Sequence, residues 1–357
     1  MSHLTEDITS IPAVTIGLDL GDQRTHLYAV DAAGQCVDER TLASTAAGIT
    51  AYFGARAACR VVLEVGTHSP WMSRLLAAAG HEVLVANPSA MYGRGRRRRR
   101  NDRSDAAFLA RQGRADMRLL HPMTHRGADA QAHLEVLRAR DHLVRTRTQL
   151  INHVRGSVKS LGARLPKSSA EAFVRKTAAA IPDVVHTALA PLLLTIDGLT
   201  ATIAQYDGQL ARLITTQYPV AQRLQQIVGV GPLTALSFVL LLDDPDRFAS
   251  SRAVGPYFGL VPGLDESGTI APQLRITKAG DPLGRRLLVN AAHYILGPFG
   301  PPSDLRRTGE ALLRRGGAHA KKRAVVAVAR KLAVLLHALW IHDVPYQPDY
   351  QQRRAVA

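Results

Sequence analysis

Cysteine is scarce in this sequence, which contains only Cys36 and Cys59 among 357 residues. Structural zinc sites usually take four cysteine or histidine ligands at short spacings, so two distant thiols exclude a cysteine-based metal finger. So few cysteines are typical of a protein in a reducing compartment. The N-terminus also lacks a basic segment followed by an apolar run, which is the pattern of a secretory signal. These absences predict a cytoplasmic protein.

Long uninterrupted apolar runs are missing as well. The apolar stretch at residues 324–340 contains Arg330, Lys331 and His337. A bilayer-spanning helix needs about 20 apolar residues with few or no charges, so this stretch is predicted to be a packed helix, in a protein without a membrane partner. The sequence shows no internal repeat. With 46% hydrophobic residues, the chain is long enough for two or three domains with hydrophobic cores.

Acidic residues are outnumbered, because 45 lysines and arginines stand against 29 aspartates and glutamates, a formal net charge of +16. A positive field of this size attracts polyanions, so nucleic acid is the predicted partner. The densest basic run supplies the first predicted nucleic-acid contacts: Arg94, Arg96, Arg97, Arg98, Arg99 and Arg100. Basic runs also occur on solvated surfaces and in localisation signals, and composition leaves those alternatives open.

Residues 11–125 alternate between short apolar runs and amphipathic segments. Four strands and two helices are predicted there: strands at 14–20, 25–30, 61–65 and 82–86, and helices near 46–56 and 69–80. The first two strands are predicted to form a hairpin. This alternation indicates an α/β domain.

Two of these strands end in carboxylates, and a further predicted helix begins with two more. Asp19 and Glu64 end the first and third strands, and Asp102 and Asp105 open a helix directly after the arginine run. The i, i+3 spacing places both helix aspartates on one face. Such oxygen ligands suit a pair of Mg²⁺ ions about 4 Å apart, which can stabilise the attacking and leaving oxygens of a phosphodiester displacement. The ordered set predicts the metal site of an RNase H-like (RuvC-like) nuclease, although each acid alone could be a turn cap, rim charge or helix cap.

Two long amphipathic stretches follow this domain. Residues 129–158 carry apolar side chains at helical spacing, and residues 184–217 form a second helical stretch that Pro191 is predicted to interrupt. Together they predict an antiparallel, coiled-coil helical arm at residues 126–218, with its tip at 162–169. The arm is either a dimerisation surface or a spacer, and the sequence does not decide between the two.

The last predicted domain, residues 219–345, is mainly α-helical. Around Gly229 and Gly231, paired glycines between short apolar helices resemble a helix-hairpin-helix element, in which backbone N–H groups hold a phosphate. An ordinary tight turn has the same pattern. We assign both glycines to nucleic-acid binding.

A second motif in this domain places Ser267 beside Gly268, ahead of several cationic side chains: Arg275, Lys278, Arg285 and Arg286. An exposed hydroxyl near positive groups can attack a phosphate, although in isolation a Ser-Gly pair is most simply a turn. Ser250 and Ser251 are rival nucleophiles, but their position is more typical of a helix N-cap.

Taken in order, these motifs resemble the transposases of the insertion sequence 110 family. The resemblance covers nearly the whole chain and rests on these segments: Gly17-Leu-Asp19, Leu63-Glu64, Asn101-Asp102-Arg-Ser-Asp105-Ala, Ile227-Val-Gly-Val-Gly231, Gly259-Leu-Val-Pro262, Ser267-Gly268 and Arg323-Ala-Val-Val-Ala-Val-Ala-Arg330-Lys331-Leu-Ala. Asn101 stands where many relatives carry lysine, and Thr277 where many carry serine. Neither difference removes a proposed metal ligand or nucleophile.

The resemblance implies an N-terminal RuvC-like domain whose four acids bind Mg²⁺, a coiled-coil segment, and a C-terminal transposase domain. Ser267 would form a transient phosphoserine link to a cleaved strand. The implied partners are donor and target DNA, a structured bridge-type guide RNA and further copies of the chain, as a homodimer or homotetramer. The implied location is the cytoplasm of a bacterium or archaeon, with the protein associated with the nucleoid when active.

Three alternatives fit part of the pattern. A junction-resolving nuclease would use the same metal site without serine chemistry. A non-catalytic nucleic-acid-binding protein would use only the basic run and the paired glycines. A kinase with an actin-like fold shares the Gly17-Leu-Asp19 motif, but no second phosphate loop or adenosine site is evident.

Overall fold

The computed structural model describes residues 13–91, 102–264 and 274–351. The chain forms two compact units, whose boundary in the sequence falls between His125 and Arg126. The described part of the first unit is a β-sheet with helices, and that of the second is helical.

The first unit is built on a mixed sheet. Its described residues form five strands: β1 (Val14–Leu20), β2 (Arg24–Asp31), β3 (Cys36–Ala43), β4 (Arg60–Glu64) and β5 (Glu82–Ala86). The order across the sheet is β3-β2-β1-β4-β5. Strands β1, β2 and β3 pair antiparallel, whereas β1, β4 and β5 pair parallel. The four predicted strands and the first hairpin are confirmed, and the mixed sheet fits the predicted α/β domain.

Strand β3 has no counterpart among the predicted strands. It lies at the edge of the sheet beside β2, and none of its side chains is buried. An edge strand with no buried face needs no alternation of apolar and polar residues, so its sequence carries no strand signal. Pairing with β2 forms this strand instead.

Helices cover both faces of the sheet. They are α1 (Ala46–Phe53), α2 (Ser69–Ala78), α3 (Pro88–Met91) and α4 (Asp102–Ala115), followed by a 3₁₀ turn at Met117–Leu120. One face of the sheet forms a hydrophobic core with α1 and α2, and the other face packs against α4. The sheet therefore lies between two helical layers. The predicted helices near 46–56 and 69–80, and the predicted helix start at Asp102, are confirmed.

Helix α4 approaches β1 closely because Gly17 faces it. A Cβ atom on Gly17 would lie 2.0 Å from the carbonyl oxygen of Ala106 and 2.5 Å from the backbone nitrogen of Ala110. Both neighbours are backbone atoms, so no side-chain rotation could relieve the overlap. Glycine at this position sets the distance between the strand that carries Asp19 and the helix that carries Asp105.

We expect Gly17→Ala to push α4 away from β1 and to lower the free energy of unfolding by about 3 kcal/mol, the upper end of the usual range for overpacking. Denaturant unfolding of the purified protein measures this loss. Gly66→Ala is the matched control in the same unit, because nothing lies within 4 Å of the Cβ that it would add. Equal destabilisation by the two variants would contradict the predicted backbone overlap.

Helices are the main secondary structure of the second unit's described residues, which also contain an isolated antiparallel β-bridge between Pro262 and Ile276. Its helices are α5 (Ala128–Ser160), α6 (Phe173–Thr177), α7 (Asp183–Thr216), α8 (Pro219–Leu224), α9 (Pro232–Leu242), α10 (Val254–Tyr257), α11 (Pro282–Leu296), α12 (Asp304–Arg314) and α13 (Ala320–His342). Short 3₁₀ turns lie at Ala178–Ala180, Pro245–Arg247 and Ser251–Ala253.

Helices α5 and α7 pack as an antiparallel pair. Leu134, near the start of α5, shares a hydrophobic cluster with Leu210, near the end of α7. Further along the pair, Val154 of α5 shares a second cluster with Leu193 of α7. Contacts between the start of one helix and the end of the other require opposite directions.

Helix α7 continues through Pro191, so the predicted interruption at this residue is wrong. A proline inside a helix costs about 3 kcal/mol, because it removes one backbone hydrogen bond and crowds the preceding turn. On either side of Pro191, Leu189, Leu193 and Ile196 are buried against α5 and against the segment that links α5 to α7, which contributes Phe173 and Ile181. We call the end of the pair beside this linking segment the distal end. This burial stabilises the continuous helix. Local sequence preference does not account for burial, so it predicts an interruption that does not occur.

The start of α5 and the end of α7 belong to the same hydrophobic core as the C-terminal helices. Helix α9 lies at the centre of this core and is buried from Thr234 to Leu242. Helix α13 buries one face in it, including Val328 and Leu332. The prediction that residues 324–340 form a packed helix is therefore confirmed.

Among the described residues, α7 and α13 are long and apolar enough to cross a membrane by length and composition alone. This is weak evidence, because a core helix of a soluble protein passes the same test. Both helices contribute buried side chains to the clusters described above.

Candidate active site

Asp19 and Glu64 lie side by side at the carboxyl ends of two parallel strands. In the pairing of β1 with β4, Leu18 is opposite Leu63, so Asp19 and Glu64 follow in register. Asp19 comes two residues after Gly17, which faces α4. Because side chains alternate along a strand, Asp19 and Glu64 are both on the side of the sheet that α4 covers.

Helix α4 adds the other two carboxylates at its first turn. Asp105 directly precedes Ala106, the residue whose carbonyl oxygen lies above Gly17, and Asp102 lies one turn earlier. The negative charges of Asp102, Asp105 and Glu64 all act on Asp19. The structure therefore brings the four predicted acids to one edge of the sheet.

The pKa of Asp19 is raised to about 6. Burial of the carboxyl group is the largest cause, and the charges of Asp102, Asp105 and Glu64 raise the pKa further, whereas His26 lowers it. A carboxyl group that is costly to ionise among like charges is stabilised in its ionised form by a nearby cation. The site therefore favours positive charge beside Asp19.

The donor set has the chemistry of a site for a hard divalent cation, because all four side chains offer carboxylate oxygens. Within residues 13–91, 102–264 and 274–351, no three histidine, cysteine, aspartate or glutamate side chains are grouped closely enough to hold a metal ion. The four acids thus fit a divalent metal by type and by charge. Their arrangement is not that of a complete coordination shell.

Contacts at both ends of α4 fix the helix on the sheet. Near its start, Arg103 pairs with Glu39 of β3 at 2.5 Å. Near its end, the Gly113 carbonyl oxygen accepts a hydrogen bond of 3.0 Å from Arg60 of β4. Strand β3, which the sequence analysis misses, therefore helps to hold the helix that carries Asp102 and Asp105.

His26 is a site residue that the sequence analysis misses. It is opposite Asp19 in the pairing of β1 with β2, and its Nε2 atom lies 3.5 Å from Oδ2 of Asp102. Its Nδ1 atom lies 3.5 Å from Oγ1 of Thr41 in β3. The register of the hairpin could have identified this residue. Because Leu20 pairs with Thr25, Asp19 is opposite His26.

Ser267 lies outside the described residues, and so do Asn101 and the predicted nucleic-acid contacts of the arginine run, Arg94, Arg96, Arg97, Arg98, Arg99 and Arg100. The described segments on either side of Ser267 pair with each other. The Gly263 N–H donates to the Arg275 carbonyl oxygen at 2.9 Å, and the Thr277 N–H donates to the Val261 carbonyl oxygen at 2.8 Å. The chain entering and the chain leaving this loop are therefore held together.

Two glycines allow the base of this loop to pack tightly. Gly259 has a φ of +65° and Gly280 a φ of +74°, and a Cβ on Gly280 would lie 2.0 Å from the Tyr257 carbonyl oxygen. The guanidinium of Arg285 donates to the carbonyl oxygens of Phe258 at 3.2 Å and Ala279 at 2.8 Å. Arg285 thus joins the two sides of the loop base.

The four cations predicted around this loop have different surroundings. Arg285 makes the backbone contacts just described, and Arg286 pairs with Asp141 of α5. Arg275 and Lys278 are exposed. Of the four, Arg275 and Lys278 are the two whose side chains are open to an incoming phosphate.

The two predicted phosphate-binding glycines differ in their surroundings. Gly229 has a φ of +101°, and a Cβ there would lie 3.2 Å from the Ala291 carbonyl oxygen of α11. Close packing therefore accounts for this glycine. Gly231 is exposed and forms the N-cap of α9, where backbone N–H groups are available to an anion.

The rival serines precede or begin a 3₁₀ turn. Ser250 is the N-cap residue of the turn at Ser251–Ala253, but its side chain makes no capping hydrogen bond. The Ser251 hydroxyl lies 2.9 Å from Nδ1 of His337, and Nε2 of His337 lies 3.0 Å from the Pro245 carbonyl oxygen. Ser251 therefore has a structural partner on α13.

Two family models match the chain. Residues 16–162 match the model of a transposase family of the DEDD type of IS110, and residues 221–303 match the "Transposase IS116/IS110/IS902 family". The first match begins in β1 and ends just after α5, and the second includes α9, α10 and α11.

Three curated relatives are similar over most of their lengths. The transposase for insertion sequence element IS1111A of Coxiella burnetii is 28% identical over 93% of this chain and 91% of its own length. The y4pF/y4sB protein of Sinorhizobium fredii is 30% identical over 79% of this chain and 73% of its own length. The transposase for insertion sequence element IS1328 of Yersinia enterocolitica is 29% identical over 80% of this chain and 85% of its own length.

Proposed function

The chain belongs to the insertion sequence 110 family of transposases, enzymes that cut and rejoin DNA, and from that premise we propose that it does so with a metal-binding acidic site and a serine nucleophile. The carboxylates of Asp19, Glu64, Asp102 and Asp105 would hold Mg²⁺. The observation that carries this proposal is the placement of Asp19 and Glu64 in register on β1 and β4, beneath the helix that carries the other two acids.

A divalent metal bound to these acids would supply Lewis-acid stabilisation of the oxygens that gain negative charge at the scissile phosphate. The chain's own residues place and hold the ligands. Gly17 sets the distance from β1 to α4, and Arg103 and Arg60 hold the two ends of α4. His26 lies beside Asp102 and is positioned to orient that carboxylate.

The serine step exchanges one phosphoester for another. The Ser267 oxygen would attack the scissile phosphorus, lose its proton, and form a serine–phosphate bond as the bond to the leaving strand oxygen breaks and that oxygen takes up a proton. In the reverse step, the hydroxyl of a different strand would attack the phosphoserine, and Ser267 would recover its proton. The number of phosphoester bonds stays constant, so rejoining needs no added energy source. The exposed cations Arg275 and Lys278 would stabilise the developing charge.

The partners that we propose are donor DNA, target DNA and a bridge-type guide RNA. The net charge of +16 supports binding of more than one nucleic acid, because each bound strand adds a dense row of phosphates. The arginines of residues 94–100 and the exposed N-terminus of α9 at Gly231 are proposed phosphate contacts. We further propose that the antiparallel α5–α7 pair acts as the coiled-coil arm of a homodimer or homotetramer in the cytoplasm.

The experiment that tests this proposal is a strand-exchange assay with the purified full-length chain. It combines donor and target duplexes with the transcript of the DNA that flanks the gene, in Mg²⁺ or in EDTA. We expect joined donor–target strands only when the protein, the transcript and Mg²⁺ are all present. Cleavage that needs Mg²⁺ but not the transcript, and that leaves no joined strand, would support a structure-specific nuclease instead.

A further inference from the structure

The C-terminal part of the second unit contains a long segment without a single acidic residue. Residues 311–342 include seven lysines and arginines and no aspartate or glutamate. Five of these cations lie around the turn that joins α12 to α13. Arg323 contacts the backbone of the turn, and the other four are Arg314, Arg315, Lys321 and Lys322. We call these four residues the basic hairpin tip.

The fold brings the two pairs of cations close together. Helix α12 ends at Arg314 and α13 begins at Ala320, so only a short turn separates them. Within it, Gly316 and Gly317 have φ angles of +66° and +85°, a backbone region that glycine adopts without strain. Arg323 donates to the Gly316 carbonyl oxygen at 2.8 Å, which holds the turn closed.

The two helices also pack closely along their length, because Gly309 of α12 leaves no side chain between them. A Cβ on Gly309 would lie 2.8 Å from Cγ2 of Val328 in α13 and 2.4 Å from Cδ2 of Leu296 in α11. The tip is therefore the end of a rigid helical hairpin. Its cations project from a fixed frame and not from a long loop.

The helix dipoles favour the two arginines of the tip but not its two lysines. Arg314 and Arg315 lie at the C-terminus of α12, where a positive charge is stabilised by the helix dipole. Lys321 and Lys322 lie in the first turn of α13, where the dipole disfavours them. That turn has no acidic residue, and the His319 N-cap makes no side-chain capping hydrogen bond. The positive charge of the two lysines is therefore not stabilised by the helix on which they lie.

Two arginines of α12 that lie before the tip are engaged internally. Arg306 donates to the carbonyl oxygens of Gly297 and Gly300, and Arg307 pairs with Asp304 and Asp349. By contrast, within the part of the chain that the structure describes, none of the four tip side chains makes a hydrogen bond or ion pair, and all four are exposed. Their charge is available to a ligand.

We propose that the basic hairpin tip is a binding site for the sugar–phosphate backbone of double-stranded nucleic acid, formed by residues other than the four acids and Ser267. Four cations at one turn match the charge of successive phosphates, and residues 314–322 contain no Asn, Gln, Phe, Tyr or Trp, which favours contact with the backbone over contact with bases. This inference rests on the proposed function, because it assigns one surface to the polyanions that the transposase must hold.

The test measures equilibrium binding of the full-length chain to a random-sequence 30-base-pair DNA duplex, and to the RNA duplex of the same sequence, at several salt concentrations in EDTA. The test variant combines Arg314→Gln, Arg315→Gln, Lys321→Gln and Lys322→Gln. The control variant combines Lys159→Gln, Arg164→Gln, Lys167→Gln and Lys176→Gln, four exposed cations near the distal end of the α5–α7 pair, so both variants lose the same net charge.

Each phosphate contact contributes about 0.9 to the slope of log K against log salt concentration for duplex DNA. We expect the loss of four contacts in the test variant to reduce the magnitude of that slope by about 3.6 and to weaken binding at 0.1 M salt by on the order of 100-fold or more, whereas the control variant changes both quantities little. If the test variant reduces the slope only with the DNA duplex, the ligand is DNA. If it does so only with the RNA duplex, the ligand is RNA. A reduced slope with both duplexes would identify the shared sugar–phosphate backbone as the ligand.

Three results would overturn the inference and are distinguishable. If the wild-type chain binds both duplexes but the test and control variants behave alike, the tip is not a binding site and the proposed function is untouched. If the wild-type chain binds neither duplex, the proposed function fails together with the inference. A charge-keeping variant, with Arg314→Lys, Arg315→Lys, Lys321→Arg and Lys322→Arg, must bind as the wild type does; weakened binding by this variant would also count against the inference.

Discussion

Replacing Asp19 by asparagine is expected to lower the rate of metal-dependent strand cleavage by about 10³-fold or more. The substitution keeps the size of the side chain but removes the charge at the centre of the acidic cluster. A bound metal ion contributes several kcal/mol of transition-state stabilisation, and each 1.36 kcal/mol corresponds to a factor of ten in rate. Single-turnover cleavage of a labelled duplex in Mg²⁺ measures the loss.

The same variant has an expected effect on stability that separates metal binding from damage to the fold. The pKa of Asp19 is raised from 3.8 to about 6, so the folded chain holds this proton more tightly than the unfolded chain. Its stabilising contribution is fully present below pH 3.8 and is lost as the pH rises through about 6. In EDTA at pH 8, the Asp19→Asn variant should therefore melt at a higher temperature than the wild type, and the difference should shrink toward pH 4.

Adding Mg²⁺ at pH 8 should reverse the order. Ligand binding to the folded state stabilises it by about 4.1 kcal/mol at 1,000 times the dissociation constant, and only the wild type has the full set of acids. Asp22→Asn is the matched control, since Asp22 follows the same strand but its side chain is 92% exposed. If Asp22→Asn reduced cleavage as much as Asp19→Asn, general loss of negative charge would explain both results.

Ser267→Ala is expected to abolish the covalent protein–DNA adduct and to lower strand exchange by on the order of 10⁴-fold or more. Without the hydroxyl, no phosphoserine can form, and removal of a nucleophile typically eliminates most of the catalytic acceleration. Denaturing gel analysis of labelled DNA after a reaction in Mg²⁺ with the flanking transcript detects the adduct directly.

Ser250→Ala and Ser251→Ala are the controls for this prediction. We expect Ser250→Ala to retain the adduct. Ser251→Ala removes the hydroxyl that contacts His337, so it should lower stability by about 1 kcal/mol, the usual net value of one hydrogen bond, and should still form the adduct. An adduct that persists in Ser267→Ala and disappears in Ser250→Ala or Ser251→Ala would move the nucleophile to the rival serine.

Much of the first unit was predictable from the sequence, because its strands are short apolar runs with clear ends. Strands β1 and β5 have the predicted bounds, and the hairpin partner β2 differs from its prediction by one residue at each end. Strand β3 escaped prediction since no face of it is buried. The continuous helix α7 was also unpredicted at Pro191, because packing against α5 outweighs the local cost of proline.

The candidate site was predictable in its acids but not in its surroundings. Carboxylates at the ends of parallel strands lie at the same edge of a sheet, so Asp19 and Glu64 could be paired by pattern alone. The position of His26 depends on the register of a hairpin, and the internal contacts of Arg285 and Arg286 depend on chain segments that are distant in the sequence. Runs of charge in the sequence do not distinguish cations that hold the fold from cations that face solvent.

The sequence by itself determined the α/β character of the first unit, the helical character of the second, the excess of positive charge and the identity of the four acids. These features follow from local composition and from periodicity along the chain. Only the tertiary structure decided how close α4 approaches β1 at Gly17, that burial and neighbouring charges raise the pKa of Asp19, and that the four side chains of the basic hairpin tip are exposed. Each of these depends on atoms that are far apart in the sequence and meet only when the chain packs.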